Sequence, residues 1–167
     1  FNTVPKKNIK YVFFVFGSEV PFAGGGNNSK PKPSKLNNIK TDYSLYNSIL
    51  KNLNTNKKNK FSLVIEPGMA FSNSKITLPK LEKFRKRLSF SKKNNFSYEA
   101  HSTDYQKLKT LKKLVKNNFR FLKVGPELTF YFYQAIKKME EIEHVYCKKK
   151  SNIGYELINA MKRDDKY

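Results

Sequence analysis

The stretch FSYEAHSTDYQKLKTLKKLVKNNFRFLKVGPELTF, residues 96–130, decides how this chain folds. Phe96 to Tyr98 is a short aromatic-rich run that stops at Glu99, where a dense polar string, EAHSTDYQ, begins. That pattern is a strand running into a loop. From Tyr105 the apolar residues fall at Leu108, Leu111, Leu114 and Val115, the spacing of one helix face, with Lys107, Lys109, Lys112, Lys113 and Lys116 on the others. Phe119 to Val124, FRFLKV, is too short and too rich in large apolar residues to be a second helix, and it ends at Gly125-Pro126, where a new periodic run starts. The unit is strand, loop, helix, strand. A crossover helix makes the two strands parallel, and in parallel α/β sheets ligands sit beyond the carboxyl ends of the strands. Glu99, His101, Ser102, Asp104, Lys123 and Thr129 lie at those ends.

The same alternation extends outward. Tyr11 to Phe16, YVFFVF, is apolar on both alternating faces, as a strand covered on both sides requires. It runs into GSEVPFAGGG, residues 17–26, which sets Glu19 at a third strand end beside glycines that let the backbone turn tightly. Asn27 to Asn38 reads as a Lys/Pro/Asn loop, and Thr41 as the cap of a helix with Tyr43, Tyr46, Ile49, Leu50 and Leu53 on its apolar face. Phe61 to Ile65 is a further strand, stopped by Glu66-Pro67-Gly68, and Pro79 opens a helix carrying Leu81, Phe84 and Leu88. After Pro126 comes the longest helix, with a predicted buried face of Leu128, Phe132, Ala135, Ile136, Met139 and Ile142. A terminal amphipathic helix follows near Ile153, Leu157, Ile158 and Met161. Four strand-helix pairs in succession fit either an open doubly wound sheet or half of a (β/α)8 barrel.

The 167 residues suffice for one compact domain, although a first residue of Phe and a strand after only ten residues mark the chain as a piece of something longer. Net charge is +21, from 34 Lys and Arg against 13 acids. The lysines are spread over helix faces and Asn/Lys-rich loops such as Asn52 to Lys60 rather than gathered with aromatics in one stripe, so a solvated surface is favoured over nucleic-acid binding. The lone Cys147 excludes an intrachain disulfide and a Cys-based zinc site, which points to the cytoplasm. The longest apolar run is about a third of what a membrane span needs.

EAHSTDYQ followed, after a helix, by LKVGPELTF resembles a paired motif of the non-catalytic (Z-type) subunit family of class II D-tagatose-1,6-bisphosphate aldolase, historically also labelled tagatose-6-phosphate kinase. The Glu19-Val20-Pro21 and glycine segment is similar to one in that family. EPGMAF, residues 66–71, resembles its loop of glutamine, proline, glycine, an apolar residue, an acid and phenylalanine, but departs from it at Glu66 and Ala70. The resemblance runs from Tyr11 to about Met161. It implies an α/β fold of four parallel strands with flanking helices, about half of a (β/α)8 TIM barrel, with residues 1–167 a single partial domain truncated at both ends relative to the family. The implied role is that of an accessory subunit, needed for activity and stability of a separate catalytic class II aldolase subunit in D-tagatose 6-phosphate catabolism. Rival readings are a sugar-phosphate enzyme in its own right, aldolase or kinase, a basic nucleic-acid-binding protein, and a decayed gene product. The kinase lacks support, since neither a Walker-type loop nor a dinucleotide fingerprint is present.

On residues alone, Glu19, Glu66, Glu99 and His101, with Asp104, would converge on one rim, either bonding to loop amides and Lys123 or offering oxygen and imidazole ligands. With only His101 and His144 in the chain, a three-histidine zinc site cannot be built, and no metal or cofactor is expected. His144 is assigned nothing. Lys123 could form a Schiff base only if desolvated. The resemblance implies instead that Ser102, Thr103, Lys123, Gly125 and Thr129 occupy phosphate-binding loops, a sugar-phosphate pocket kept without catalysis.

Overall fold

The computed structural model describes residues 13–17, 31–52, 61–72 and 75–164. The chain divides into two compact units, Phe1–Val124 and Gly125–Tyr167. In the first, β1 (Phe14–Phe16), β2 (Phe61–Val64), β5 (Ser97–Ala100) and β6 (Phe119–Leu122) form one sheet in the order β1-β2-β5-β6, every pairing parallel. The connections carry α1 (Leu36–Asn52), α2 (Arg85–Lys93, entered through a 3-10 turn at Leu81–Phe84) and α3 (Leu108–Lys116). Each strand pairs with the one before it and no reversal of order occurs, so the sheet lacks the switch point of a doubly wound fold. Residues of all three helical connections pack in one core cluster with the same face of the sheet, the arrangement of a barrel arc.

The strand period separates the two faces. Phe14, Phe61, Leu63, Ile65, Phe96, Tyr98 and Phe119 pack beneath Ile39 and Leu50 of α1, Leu81 and Phe84 of the 3-10 turn, and Leu114 of α3. Aromatic rings form the centre of this core: Phe96 lies 5.1 Å from Tyr43, 5.4 Å from Phe61, 5.7 Å from Phe90 and 5.4 Å from Tyr98, between ring centroids. On the other face, Ser62 and Ser97 are register partners whose hydroxyls meet at 2.5 Å. There Phe13 and Phe121, beside strands at opposite edges of the sheet, bring their rings to 5.0 Å. Three strand spacings in a flat sheet would separate those edges by about 14 Å. The sheet is therefore curled, and the small Ser62 and Ser97 side chains leave the room into which the two rings close.

Several sequence expectations are corrected here. The first helix starts at Leu36 rather than near Thr41, whose hydroxyl instead donates to the Asn37 carbonyl at 3.2 Å. Ile39, at the margin of the expected loop, is among the most deeply buried residues. The run expected to be helical from Tyr105 begins at Leu108, because Tyr105 has φ +58°. An antiparallel ribbon, β3 (Ala70–Phe71) with β4 (Ile76–Thr77), was not anticipated; two-residue strands carry no readable period. The strand ending at Phe16 and the helix expected to reach Leu53 are seen only in part, since Tyr11, Val12 and Leu53 lie outside the described residues.

In the second unit, α4 (Pro126–Tyr146) and α5 (Ile153–Arg163) bury no residue. The predicted buried face of α4 is overturned: Leu128, Phe132, Met139 and Ile142 are all exposed. Periodicity identifies an apolar stripe, but burial requires an element lying against it. Two acids of α4 fasten the helix connection, where Glu143 accepts the Ser151 N–H at 2.9 Å and hydroxyl at 2.5 Å, and Glu140 accepts the Gly154 N–H at 3.1 Å. Those Ser151 bonds hold the Glu143 carboxyl below its ordinary range. Lys150 closes the end of α4 by donating to the carbonyls of Glu143, His144 and Cys147.

Tyr98 yields a pH prediction. Its ring is fully buried and its hydroxyl donates to the Arg87 carbonyl at 2.9 Å. Burial pushes the phenol well above its ordinary range, against smaller opposing pulls from Ser91 and the Arg87 charge. An unfolded tyrosine ionises near pH ~10 while the folded one stays neutral, so this group's stabilisation is complete below that pH and is lost above it. Raising the pH to 11 is expected to cost about 1.4 kcal/mol from this group. Urea unfolding of the native chain and of Tyr98→Phe at pH 9 and 11 checks it; an equal fall in both would assign the effect elsewhere.

Candidate functional site

The candidate site lies at the carboxyl ends of β2, β5 and β6, and the chain builds it by locking one loop. Beyond Ala100 the backbone takes φ +56° at Ser102 and +58° at Tyr105, unusual for residues bearing a Cβ. Between them Thr103 and Asp104 are buried. Thr103 donates its N–H at 3.3 Å and its hydroxyl at 2.9 Å to the Lys123 carbonyl, while the Lys123 N–H donates to the Ala100 carbonyl at 2.8 Å. The loop after β5 is thereby stitched to the end of β6. The ribbon β3–β4 covers it from another side, with Phe71 and Tyr105 edge to face at 5.6 Å and the Gln106 amide donating to the Thr77 carbonyl at 3.2 Å.

Glu99 and His101 stand on this frame, two residues apart where the strand ends. The His101 Nε2–H donates to Glu99 Oε1 at 2.8 Å, and both side chains are largely shielded. With Nε2–H given to the carboxylate, a neutral imidazole carries its lone pair on Nδ1, the atom that could then serve as a proton acceptor or ligand. Among the described residues no three metal-ligating side chains converge.

Glu66 is used differently. Its Oε1 accepts the N–H groups of Gly68 at 2.6 Å and Met69 at 3.0 Å, and its backbone exchanges two bonds with Ser34, at 2.7 and 2.9 Å. These bonds need only a side-chain oxygen, which glutamine supplies equally well, so the Glu66 departure from the resembled loop is geometrically neutral. Arg87 anchors the same segment by donating to the Ser34 carbonyl at 2.8 Å.

The structure thus joins Glu99 to His101 and Thr103 to the Lys123 backbone, and ties Glu66 to its own loop. Asp104 is enclosed, and the side chain of Lys123 is exposed. Glu19 lies outside the described residues. Gly125 and Thr129, both exposed, belong to the second unit at the start of α4. Sequence reading missed Ser34, whose position in a Lys/Pro/Ser segment carries no signal of its partner 32 residues away. It also quoted Gln106 without assigning it; this side chain is buried, and its Oε1 meets no donor among the described residues.

Comparison with known proteins adds three findings. Residues 2–167 match a family model described as "D-tagatose-1,6-bisphosphate aldolase subunit GatZ/KbaZ-like". The D-tagatose-1,6-bisphosphate aldolase subunit GatZ of Escherichia coli O1:K1 / APEC is 31% identical over 136 residues, covering 78% of this chain and 32% of that protein. The protein of the same name from E. coli O7:K1 (strain IAI39 / ExPEC) is 29% identical over the same length. The chain therefore spans about a third of the length of the curated relatives it matches. A crystal structure of a probable tagatose 6 phosphate kinase from Sinorhizobium meliloti 1021 superposes with TM-score 0.65 and 21% identity, over 83% of this chain and 34% of that one, which establishes likeness of fold.

Proposed function

The chain belongs to the D-tagatose-1,6-bisphosphate aldolase subunit GatZ/KbaZ-like family, and from that membership we propose that it is a non-catalytic accessory subunit of a class II D-tagatose-1,6-bisphosphate aldolase. The match over residues 2–167 carries this reading. The reaction, reversible cleavage of D-tagatose 1,6-bisphosphate to glycerone phosphate and D-glyceraldehyde 3-phosphate, belongs to a separate catalytic subunit. This chain supports that subunit's activity and stability in the cytoplasm, with residues 1–167 forming one partial barrel domain. A sugar phosphate held at the ends of β5 and β6 by Ser102 and Lys123 belongs to the same proposal.

The site chemistry supports an accessory role. Glu66 is held by loop amides and the Thr103 hydroxyl by a carbonyl, so groups that could act on a substrate instead fasten the loops. Lys123 is exposed, whereas a Schiff-base lysine requires desolvation to lower its pKa. Among the described residues no helix is long and apolar enough to cross a membrane. One observation favours the rival enzyme reading, namely the Glu99–His101 pair at 2.8 Å on a rigid strand end.

Co-expression separates the two. A class II catalytic subunit is produced alone, with this chain, and with the full-length E. coli O1:K1 relative as positive control. This chain is expected to raise soluble yield and tagatose-bisphosphate cleavage severalfold while cleaving nothing by itself. No gain from the chain where the control succeeds would sink the accessory reading. Cleavage by the chain alone, abolished in Glu99→Gln, would establish the enzyme instead.

A further inference from the structure

A cavity of about 470 Å³ opens at the amino ends of β2, β5 and β6, at the opposite end of the sheet from Glu99 and His101. Its floor includes Phe61, Phe96 and Phe119, and its mouth carries Lys92, Asn95 and Arg120. Among the described residues no carboxylate lines it.

The hydrogen bonds of the surrounding turns show what remains available. Where α2 ends, the Phe90 carbonyl takes the Asn94 N–H and side-chain amide, at 3.1 and 2.8 Å, and the Lys92 carbonyl takes the Asn95 N–H at 3.3 Å. Where α3 ends, the Lys113 carbonyl takes the Asn117 N–H and amide, at 3.1 and 2.9 Å. The Asn118 amide donates to Ser91 Oγ at 2.9 Å and to the Phe96 carbonyl at 2.8 Å, and Ser97 is joined to Ser62. These carbonyls and Ser91 Oγ are therefore occupied. Of the residues that line the cavity, the exposed polar and charged ones are Lys92, Asn95 and Arg120, so its two charged groups are both cations. Arg120 is positioned by the Phe13 ring, 4.9 Å from its centroid, and a guanidinium laid on a ring keeps its N–H edge for another partner.

Helix carboxyl ends carry partial negative charge, each equivalent to about half an elementary charge. Two full cations at the mouth outweigh that, and the carbonyls named above are already bonded. The site therefore suits an acceptor-rich anion, and its volume falls in the range of metabolite pockets rather than of a bare-ion niche.

We propose that this cavity binds a phosphate monoester, with the phosphate between Lys92 and Arg120 and the organic body over the aromatic floor. Calorimetric titration of the chain at low salt with glycerol 3-phosphate, glycerol and inorganic phosphate tests it. Glycerol 3-phosphate is expected to bind saturably and more tightly than inorganic phosphate, and glycerol not at all. Lys92→Ala and Arg120→Ala should each weaken binding by about tenfold or more, while Lys112→Ala, an equal charge loss on α3 outside the cavity lining, should change it by less than about twofold. Lys92→Gln, at an exposed helix end, keeps the test decisive if Arg120→Ala disturbs β6. Absence of saturable binding, equal weakening by Lys112→Ala, or indifference to Lys92 and Arg120 would each overturn the site. Equal affinity for inorganic phosphate would overturn the monoester assignment, as would a far stronger preference for an oligonucleotide with a steep salt slope.

Discussion

Replacement of Phe96 by alanine is expected to destabilise the first unit by about 3–5 kcal/mol, the range for removing a buried phenylalanine without refilling its space. Phe96 is 4% exposed and touches rings from α1, α2, β2 and β5. Truncation removes contacts to four neighbours at once, and none can close the gap without leaving its other partners. The Phe96 carbonyl also accepts the Asn118 amide, which fixes the turn into β6, so a backbone shift to fill the cavity would break that bond. Urea unfolding of the native chain and Phe96→Ala measures the loss, with Phe132→Ala as a reference on the exposed surface of α4, expected within about 0.5 kcal/mol of native. A cost for Phe96→Ala below about 1 kcal/mol would show that the aromatic cluster is loosely packed.

Gly68→Ala is expected to cost about 1–3 kcal/mol through backbone strain alone, because Gly68 has φ +81°, where a side chain is disfavoured. Space adds to strain. A Cβ at Gly68 would stand 2.9 Å from Pro33 Cγ, closer than real Cβ contacts come, and 3.1 Å from its Cδ, tighter than most of them. Relief requires the segment around Pro33 to withdraw, and its neighbour Ser34 makes the two backbone bonds to Glu66. The strain therefore spreads to the whole Glu66 loop. Thermal unfolding of Gly68→Ala should show the loss of stability, and backbone amide shifts should move at Ser34 and Met69 together. A variant as stable as the native chain would refute the tight apposition of the two segments.

How much was legible in advance follows from the range over which each feature is set. α3 was read correctly in its core because four apolar residues at helical spacing report directly on one face, yet its start was placed three residues early since nothing local announces a positive φ at Tyr105. The ends of β1 and β2 were legible because a glycine or an acid follows the apolar run, whereas the strand expected to stop at Glu99 runs through it to Ala100, since an acid can still pair its backbone in a ladder. The fate of the acids was not legible. Glu66 lies two residues beyond β2 and turns back to its loop amides, while Glu99 is still inside β5 and meets His101.

By itself the sequence determined the alternation of strands and helices, the parallel pairing that crossover helices impose, and which face of each element is apolar. These are properties of local propensity and period. The tertiary structure alone decided the sequential strand order, the curl that brings Phe13 to Phe121, the burial of Ile39, the exposure of α4 and the partners of each strand-end carboxylate. All of these depend on what lies against a residue from tens of positions away, and a pattern within one element carries no record of that neighbour.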